Sequence, residues 1–280
     1  MPALRLPLSV TRRPFLPLPS LGLLTLLLTA PLRPAQAAGT LLLLDDPPAE
    51  SQWAGGLSWR GWPRAPGSSH QRQGLMPALD YSAPNGFFLS TDTGVGWNLA
   101  PALLGESGHG WQLGARVWPQ AGRPRRDAPP GIDSLNSRLG AELFANAQVH
   151  PALLLQSGLS LGGGRYRHGS LLELGATSGI PLGQDLLAIS LAASYGNSAQ
   201  LRGSFGVSPA EAARSGLPEF HPASGWQDWS VSLSGEHKFS SDWSVSGQWT
   251  HARLIAQAAR SPLTQSRQQP SFILSVWHQF

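Results

Sequence analysis

The sequence predicts an all-β protein, an antiparallel transmembrane β-barrel of 12 strands with 10 as the alternative count. Three observations predict it. Residues alternate between apolar and small or polar with period two through most of the chain after position 52, which is the pattern of half-exposed strands and not of helices. The connections between these segments are short at His150-Pro151, 182–184 and 240–242, and mostly much longer at 119–137, 163–169, 196–225 and 256–270. The chain also ends on an alternating segment, Phe272, Leu274, Val276, His278 and Phe280.

The first 37 residues read as an export signal. Arg12 and Arg13 give a positive start, Leu16 to Leu32 an apolar stretch, and Ala35-Gln36-Ala37 the small residues of a cleavage site, so the mature chain is expected to begin at Ala38. The alternative is an uncleaved anchor. Pro17, Pro19 and Pro31 leave an apolar run shorter than the roughly 20 residues a spanning helix needs. Residues 38–52, with Asp45, Asp46 and Glu50, read as a periplasmic lead-in, and 53–280 as the barrel.

Eleven alternating segments follow. The clearest pair lies near the C-terminus, where Trp229, Val231, Leu233 and Phe239 interleave with Ser230, Ser232, Ser234, Glu236 and Lys238. After the Ser240-Ser241-Asp242 turn, Trp243, Val245 and Trp249 interleave with Ser244, Ser246 and Gln248. Leu139 to Val149 and Leu187 to Tyr195 repeat the pattern, with weaker copies at 53–59, 75–81, 87–99, 111–118, 153–161 and 170–180. Splitting 87–99 at Thr91-Asp92-Thr93-Gly94 gives the even count of 12 that a single-chain barrel requires.

A soluble sandwich alternates too. Against it, charges occupy strand centres on the polar face (Arg116, Arg138, Glu142, Glu173 and Glu236), and Trp53, Trp59, Trp97, Trp111, Trp118 and Trp243 sit at strand ends. Apolar side chains facing lipid, aromatic rows at both interfaces and polar side chains in the lumen satisfy both solvents. The lumen of such a barrel is mostly filled by side chains. Arg116, Arg138, Glu142, Glu173, Glu236 and Lys238 are expected to neutralise one another across it, because an unpaired buried charge is costly.

Composition excludes several function classes. There is no Cys in the 280 residues, so disulfide frameworks, thiolate metal sites and cysteine nucleophiles are out. The net charge of +4 resides in Arg5, Arg12, Arg13 and Arg33 of the leader; the remainder has equal numbers of basic and acidic residues, so no nucleic-acid partner is expected. The eight His are scattered singly, which predicts no metal or other cofactor. Gly158-Leu159-Ser160-Leu161-Gly162 matches a hydrolase nucleophile pattern, but it lies in a strand and lacks the strand-to-helix elbow. The chain is therefore read as non-enzymatic, with no catalytic residues. Gly162-Gly163-Gly164 with Arg165 and Arg167 reads as a flexible basic hairpin tip, and Arg123, Arg125 and Arg126 with Asp127 as a lipid-headgroup contact or a solvated cluster.

The longest connection carries the most specific signal. Ser208 is placed to cap a helix starting at Pro209, with Glu211 completing a capping box, and Gly216 to stop it. One short helix is expected there, serving either the loop's own stability or recognition. Phe205-Gly206-Val207-Ser208-Pro209-Ala210-Glu211 followed by Ser215-Gly216-Leu217-Pro218 resembles the hallmark of the MipA/OmpV family of outer-membrane proteins. Gly55 to Ser68, Leu75 to Leu99 and Trp226 to Phe280 are similar to that family's first strand and turn, next hairpin and closing strands. The chain departs from it with Ser69, His70, Gln71 and Arg72 where acids are usual, and with Ser204 where an aromatic precedes the motif.

The resemblance implies a scaffold or docking protein for murein turnover, with a murein lytic transglycosylase and synthase as partners. The alternatives are a narrow pore for small solutes and a surface adhesin. Outer-membrane lipid and lipopolysaccharide are the expected surroundings. The final strand ending in Phe280 resembles the signal read by the barrel assembly machinery, with His278 where an aromatic is usual.

Overall fold

A computed structural model describes residue 44 and residues 46–280 apart from 109, 121 and 184. The expected leader and its cleavage site at Ala35, Ala37 and Ala38 lie outside the described residues. So does the start of the lead-in.

Twelve antiparallel strands close into one barrel, each bonded to its sequence neighbours and β1 bonded to β12. They are β1 (Gln52–Pro63), β2 (Gln71–Ser82), β3 (Phe87–Ser90), β4 (Gly94–Asn98), β5 (Trp111–Gln120), β6 (Arg138–His150), β7 (Leu153–Gly163), β8 (Gly169–Leu182), β9 (Asp185–Gly196), β10 (Gly225–Lys238), β11 (Trp243–Leu254) and β12 (Gln268–Gln279). The segment 87–99 does split at 91–93, giving the count of 12. An even number puts the start of β1 and the end of β12 at one end, called the terminal end here, with the long loops at the other.

The alternation sorts the two faces as expected. Leu57, Trp59, Leu143, Leu191, Leu233, Trp249 and Leu274 stand exposed outward, while Ser58, Glu142, Asn146, Ser194, Ser232, Thr250 and Ser275 are buried inside. This inversion of a soluble core is stable only with hydrocarbon outside, and the closed ladder leaves no edge there. Aromatic rows mark the terminal end: Trp53 contacts Tyr81 at 4.2 Å, and Phe87 contacts Trp97 at 5.1 Å. His278 joins that row between Trp243 at 4.7 Å and Phe280 at 4.6 Å. The imidazole thus occupies an aromatic position.

One member of the expected aromatic rows is elsewhere. Trp118 shares the parity of Arg116 and Gln120, faces the lumen and is 6% exposed. Counting seven residues from Trp111 reverses the face of a strand, so the aromatic residue type was misleading and the parity was not.

The helices also differ from expectation. Loop 197–224 holds two, α2 (Ser198–Phe205) and α3 (Pro209–Ser215). Asn197 caps α2 through the Gln200 N–H; this Asn signal follows an apparent strand and was not read. Short helices also lie before and after them, α1 (Ala100–Leu104) and α4 (Ala256–Arg260). The connection from 99 to 110 is longer than its counterparts at the terminal end.

Candidate functional site, a capped and braced lumen

The long loops fold over their end of the barrel as a cap with its own apolar core. Ile132, Val207 and Leu263 form one buried cluster, against which Ala212, Leu217 and Phe220 pack. Leu201, Phe205, Leu254 and Ala258 form a second. Phe205 and Val207 of the hallmark lie inside these clusters, both 0% exposed. Gly206 leaves no room for a side chain, since a Cβ there would fall 2.5 Å from the Arg202 carbonyl oxygen. Ser208 and Glu211 make the reciprocal capping box, and Gly216 closes α3 with a φ of 72°. Leu217 packs on the first cluster, while Pro218 is exposed and turns the chain away.

Glu211 does more than cap. Its Oε1 accepts from Arg165 Nη2 at 2.6 Å and from the Asp133 backbone N–H at 3.0 Å. Arg165 also donates to Asp133 Oδ2 at 3.1 Å, and Arg214 to Asp133 Oδ1 at 2.6 Å. These bonds tie the loops 121–137, 164–168 and 197–224 together. Burial alone would raise the Glu211 pKa, but the Ser208 hydroxyl and N–H, Arg165 and the Asp133 N–H outweigh it and hold the group at about 2.

Two of the basic clusters are accordingly corrected. Arg165 is not a free hairpin tip. Arg123 is buried, donating to the Ser204 carbonyl at 3.1 Å, and Asp127 accepts from Arg72 at 2.7 Å. Arg125 and Arg126 remain exposed. Arg72 is one of the departures from the family pattern, and here it braces β2 against the loop after β5.

Beneath the cap, α2 lies on the lumen. Gln200 and Ser204 of α2 share a cavity of only about 20 Å³ with Gln120, Arg138, Ser160 and Leu171 of the wall, room for about one water.

Of the expected lumenal charges, the structure brings Arg116 and Glu142 together. The β5–β6 register sets them directly opposite, and Arg116 Nη2 lies 2.8 Å from Glu142 Oε1 with both side chains at most 3% exposed. Ser160 donates to Glu142 Oε2 at 3.0 Å, so the serine of the nucleophile-like pattern braces an ion pair inside a strand. Arg138, Glu236 and Lys238 do not join them. Glu173 is buried in the β8 wall. Arg138 lines the small cavity under α2. Glu236 borders a separate cavity of about 190 Å³ with Asp92, Ser246 and Gln248, and Lys238 is exposed at the terminal end. Among the described residues no ion pair involves Arg138, Glu236 or Lys238. Near the barrel end water solvates these groups, so mutual neutralisation is not required.

A second brace was missed. Arg60 of β1 pairs with Asp92 at the tip of the β3–β4 hairpin. From the other side, Arg116 Nη1 donates to the Thr93 carbonyl at 3.1 Å. Position 60 has lumenal parity, but the expected strand stops at 59, and a turn aspartate gives no hint that its turn sits inside a barrel wall.

The terminal end is also filled. Leu44 packs against Phe88 and Phe144, and its carbonyl accepts from Gln112 Nε2 at 2.7 Å. All three partners are buried on the lumenal face. Leu44 therefore reaches into the lumen.

Among solved structures, the COG4313 outer membrane channel from Pseudomonas putida F1 aligns at 12% identity with a TM-score of 0.41, covering 88% of this chain and 99% of that one. OccK11 (OpdR) of Pseudomonas aeruginosa aligns at 10% identity with a TM-score of 0.32, covering 82% and 96%. No curated protein matches. The family model described as MltA-interacting protein MipA matches residues 56–280, and the chain belongs to that family.

Proposed function

We propose that this protein is a non-enzymatic outer-membrane docking protein for enzymes that cut and build murein, a lytic transglycosylase first among them. The observation that carries the reading is membership of a family described by its interaction with MltA, over residues 56–280. The obstructed lumen supports it: α2 above, the Arg60–Asp92 pair in the middle and Leu44 below narrow the interior, as expected of an anchor more than of an open pore. Cleavage before Ala38, insertion by the barrel assembly machinery through the Phe280 strand, and a cap facing lipopolysaccharide belong to the same reading. The terminal end then faces the periplasm. It offers segment 46–51 and the connection 99–110, where Leu99, Leu103 and Leu104 are 40%, 68% and 38% exposed.

The test is a crosslinked pull-down of the barrel from intact envelopes, as the full chain, without residues 38–51, and with Leu103→Ser and Leu104→Ser. Capture of murein enzymes by the full chain, reduced in either variant, supports docking and locates the surface. No capture by the folded full chain rejects it.

A further inference from the structure

Beyond the tip of the β3–β4 hairpin, the barrel wall lacks two strands. β2 pairs with β3 only over Asp80–Ser82, plus one bond from Thr91 N to the Leu79 carbonyl at 2.9 Å. β4 pairs with β5 no further than Val117. Yet β2 runs on to Gln71 along β1, and β5 to Gln120 along β6. Positions 71–78 of β2 and 118–120 of β5 therefore border a notch three inter-strand steps wide, on the order of 14 Å, crossed at its outer end by the bonds from Arg72 to Asp127.

Both borders carry a proline suited to an unpaired edge. Leu79 directs its N–H to Thr91 Oγ1 and its carbonyl to the Thr91 N–H, so odd positions of β2 point their backbone groups away from β1. Pro77 has that parity. On β5, the Leu113 carbonyl accepts from Leu99 at 2.7 Å and the Leu113 N–H donates to Asn98 Oδ1 at 3.2 Å. Odd positions there face β4, and Pro119 is the first of them beyond the hairpin. Each proline lacks an N–H only where no strand would receive one.

The notch lies at membrane depth. On both borders it starts three residues from the aromatic row of Tyr81, Phe87 and Trp97, roughly 10 Å along the strand. It continues past Leu75, which is paired with outward-facing Trp59 of the opposite row. Side chains of lumenal parity close it in place of backbone: Trp62, Ala78 and Trp118 are buried, with Met76 half-buried beside them. The Trp118 indole N–H, itself buried, has no hydrogen-bond partner. At the outer end of the notch Arg64, Arg125 and Arg126 are exposed. The far wall of the lumen offers Ser190, Ser194, Ser230, Ser232 and Thr250, whereas Trp62, Met76 and Trp118 stand on the notch side.

We infer that the notch is a side entrance to the lumen, gated by Trp62, Met76 and Trp118, that takes one hydrocarbon chain of an anionic single-chain amphiphile from the surrounding leaflet. The apolar gate at membrane depth selects the chain, the serine-lined far wall limits it to one, and the arginines at the rim suit a carboxylate head. The inference does not depend on the docking reading.

The experiment is photolabelling of the full barrel in lipid nanodiscs with a diazirine-bearing long-chain fatty acid, followed by peptide mapping. The expected result is labelling of Met76, Trp62 or Trp118, reduced at least fivefold by excess oleate. Gly74→Phe should reduce it similarly without competitor: Gly74 faces the lumen beside the gate, and a Cβ there meets only Trp62, at 3.8 Å. Folding of the variant is checked by heat-modifiable gel mobility; should it not fold, the oleate competition on the wild type decides alone. Labels confined to outward residues such as Leu75 and Val117, or lumenal labels undiminished by oleate, would overturn the side entrance.

Discussion

Arg165 Nη2 lies 2.6 Å from Glu211 Oε1, joining the β7–β8 hairpin to a helix more than forty residues further along the chain. The carboxylate is held at about 2, below its ordinary 4.5. A depressed folded-state pKa stabilises above the unfolded value and loses that contribution as pH falls through the folded one. The cap should therefore be fully tied at pH 6 and loosen between about pH 4.5 and 2, by roughly 3 kcal/mol. Limited proteolysis of loop 197–224 across that range measures it. Glu211→Gln should abolish the pH dependence and raise cleavage at neutral pH, with the barrel's heat-modifiable mobility retained.

Phe205 and Val207 are wholly buried, which sets what the hallmark does. Phe205→Ala should destabilise the cap by about 3–5 kcal/mol, seen as faster hydrogen exchange in α2 and α3. Exposed Pro218→Ala should leave exchange unchanged. Equal effects of the two substitutions would mean that the motif is not the cap's core.

Most of the wall was legible because period two is enforced by two different solvents. Leu233 meets lipid and Ser232 meets the lumen, so each residue reports its own face. The capping box at Ser208 was equally legible, since it is local chemistry of four residues. Trp118 and Arg60 were not. A tryptophan suits a membrane interface and a packed lumen alike, and Arg60 acquires meaning only from Asp92, 32 residues later on a turn that the fold draws into the wall. Nor could the lead-in's acids reveal that Leu44 enters the barrel. Long-range pairings across a closed lumen leave no trace in local periodicity.

The Arg116–Glu142 pair is buried on both sides. Removing one partner strands the other charge, so Arg116→Met or Glu142→Gln should each cost about 3–5 kcal/mol in urea unfolding. The double variant Arg116→Met with Glu142→Leu should recover most of that loss. Ser160→Ala removes one hydrogen bond to the charged acceptor and should cost about 1.5–3 kcal/mol. Additive losses in the double variant would show that the two side chains act separately.

Pro77 and Pro119 are each paired on one side only, with Leu57 and Leu139. Pro77→Ala and Pro119→Ala should each alter stability by less than about 1 kcal/mol, since neither position has a ladder bond to regain. Ala192→Pro in β9, between paired β8 and β10, should instead cost about 3 kcal/mol or more, because a ladder bond is lost in a central strand. Heat-modifiable gel mobility as a function of temperature separates the two cases.

The middle of the lumen is obstructed by Arg60 with Asp92, and its terminal end is occupied by Leu44 on Phe88 and Phe144. These barriers lie in series, so removing one should leave the other intact. In planar bilayers the full barrel should show no stepwise conductance, and neither should a chain starting at residue 48. Asp92→Ala alone frees the hairpin tip, but Leu44 still fills the exit. Combining the truncation with Asp92→Ala should yield the first resolvable steps, small because α2 still covers the far mouth. Steps from the unaltered barrel would show that a water path passes the ion pairs, and the narrow pore would then displace the docking protein as the better account of the lumen.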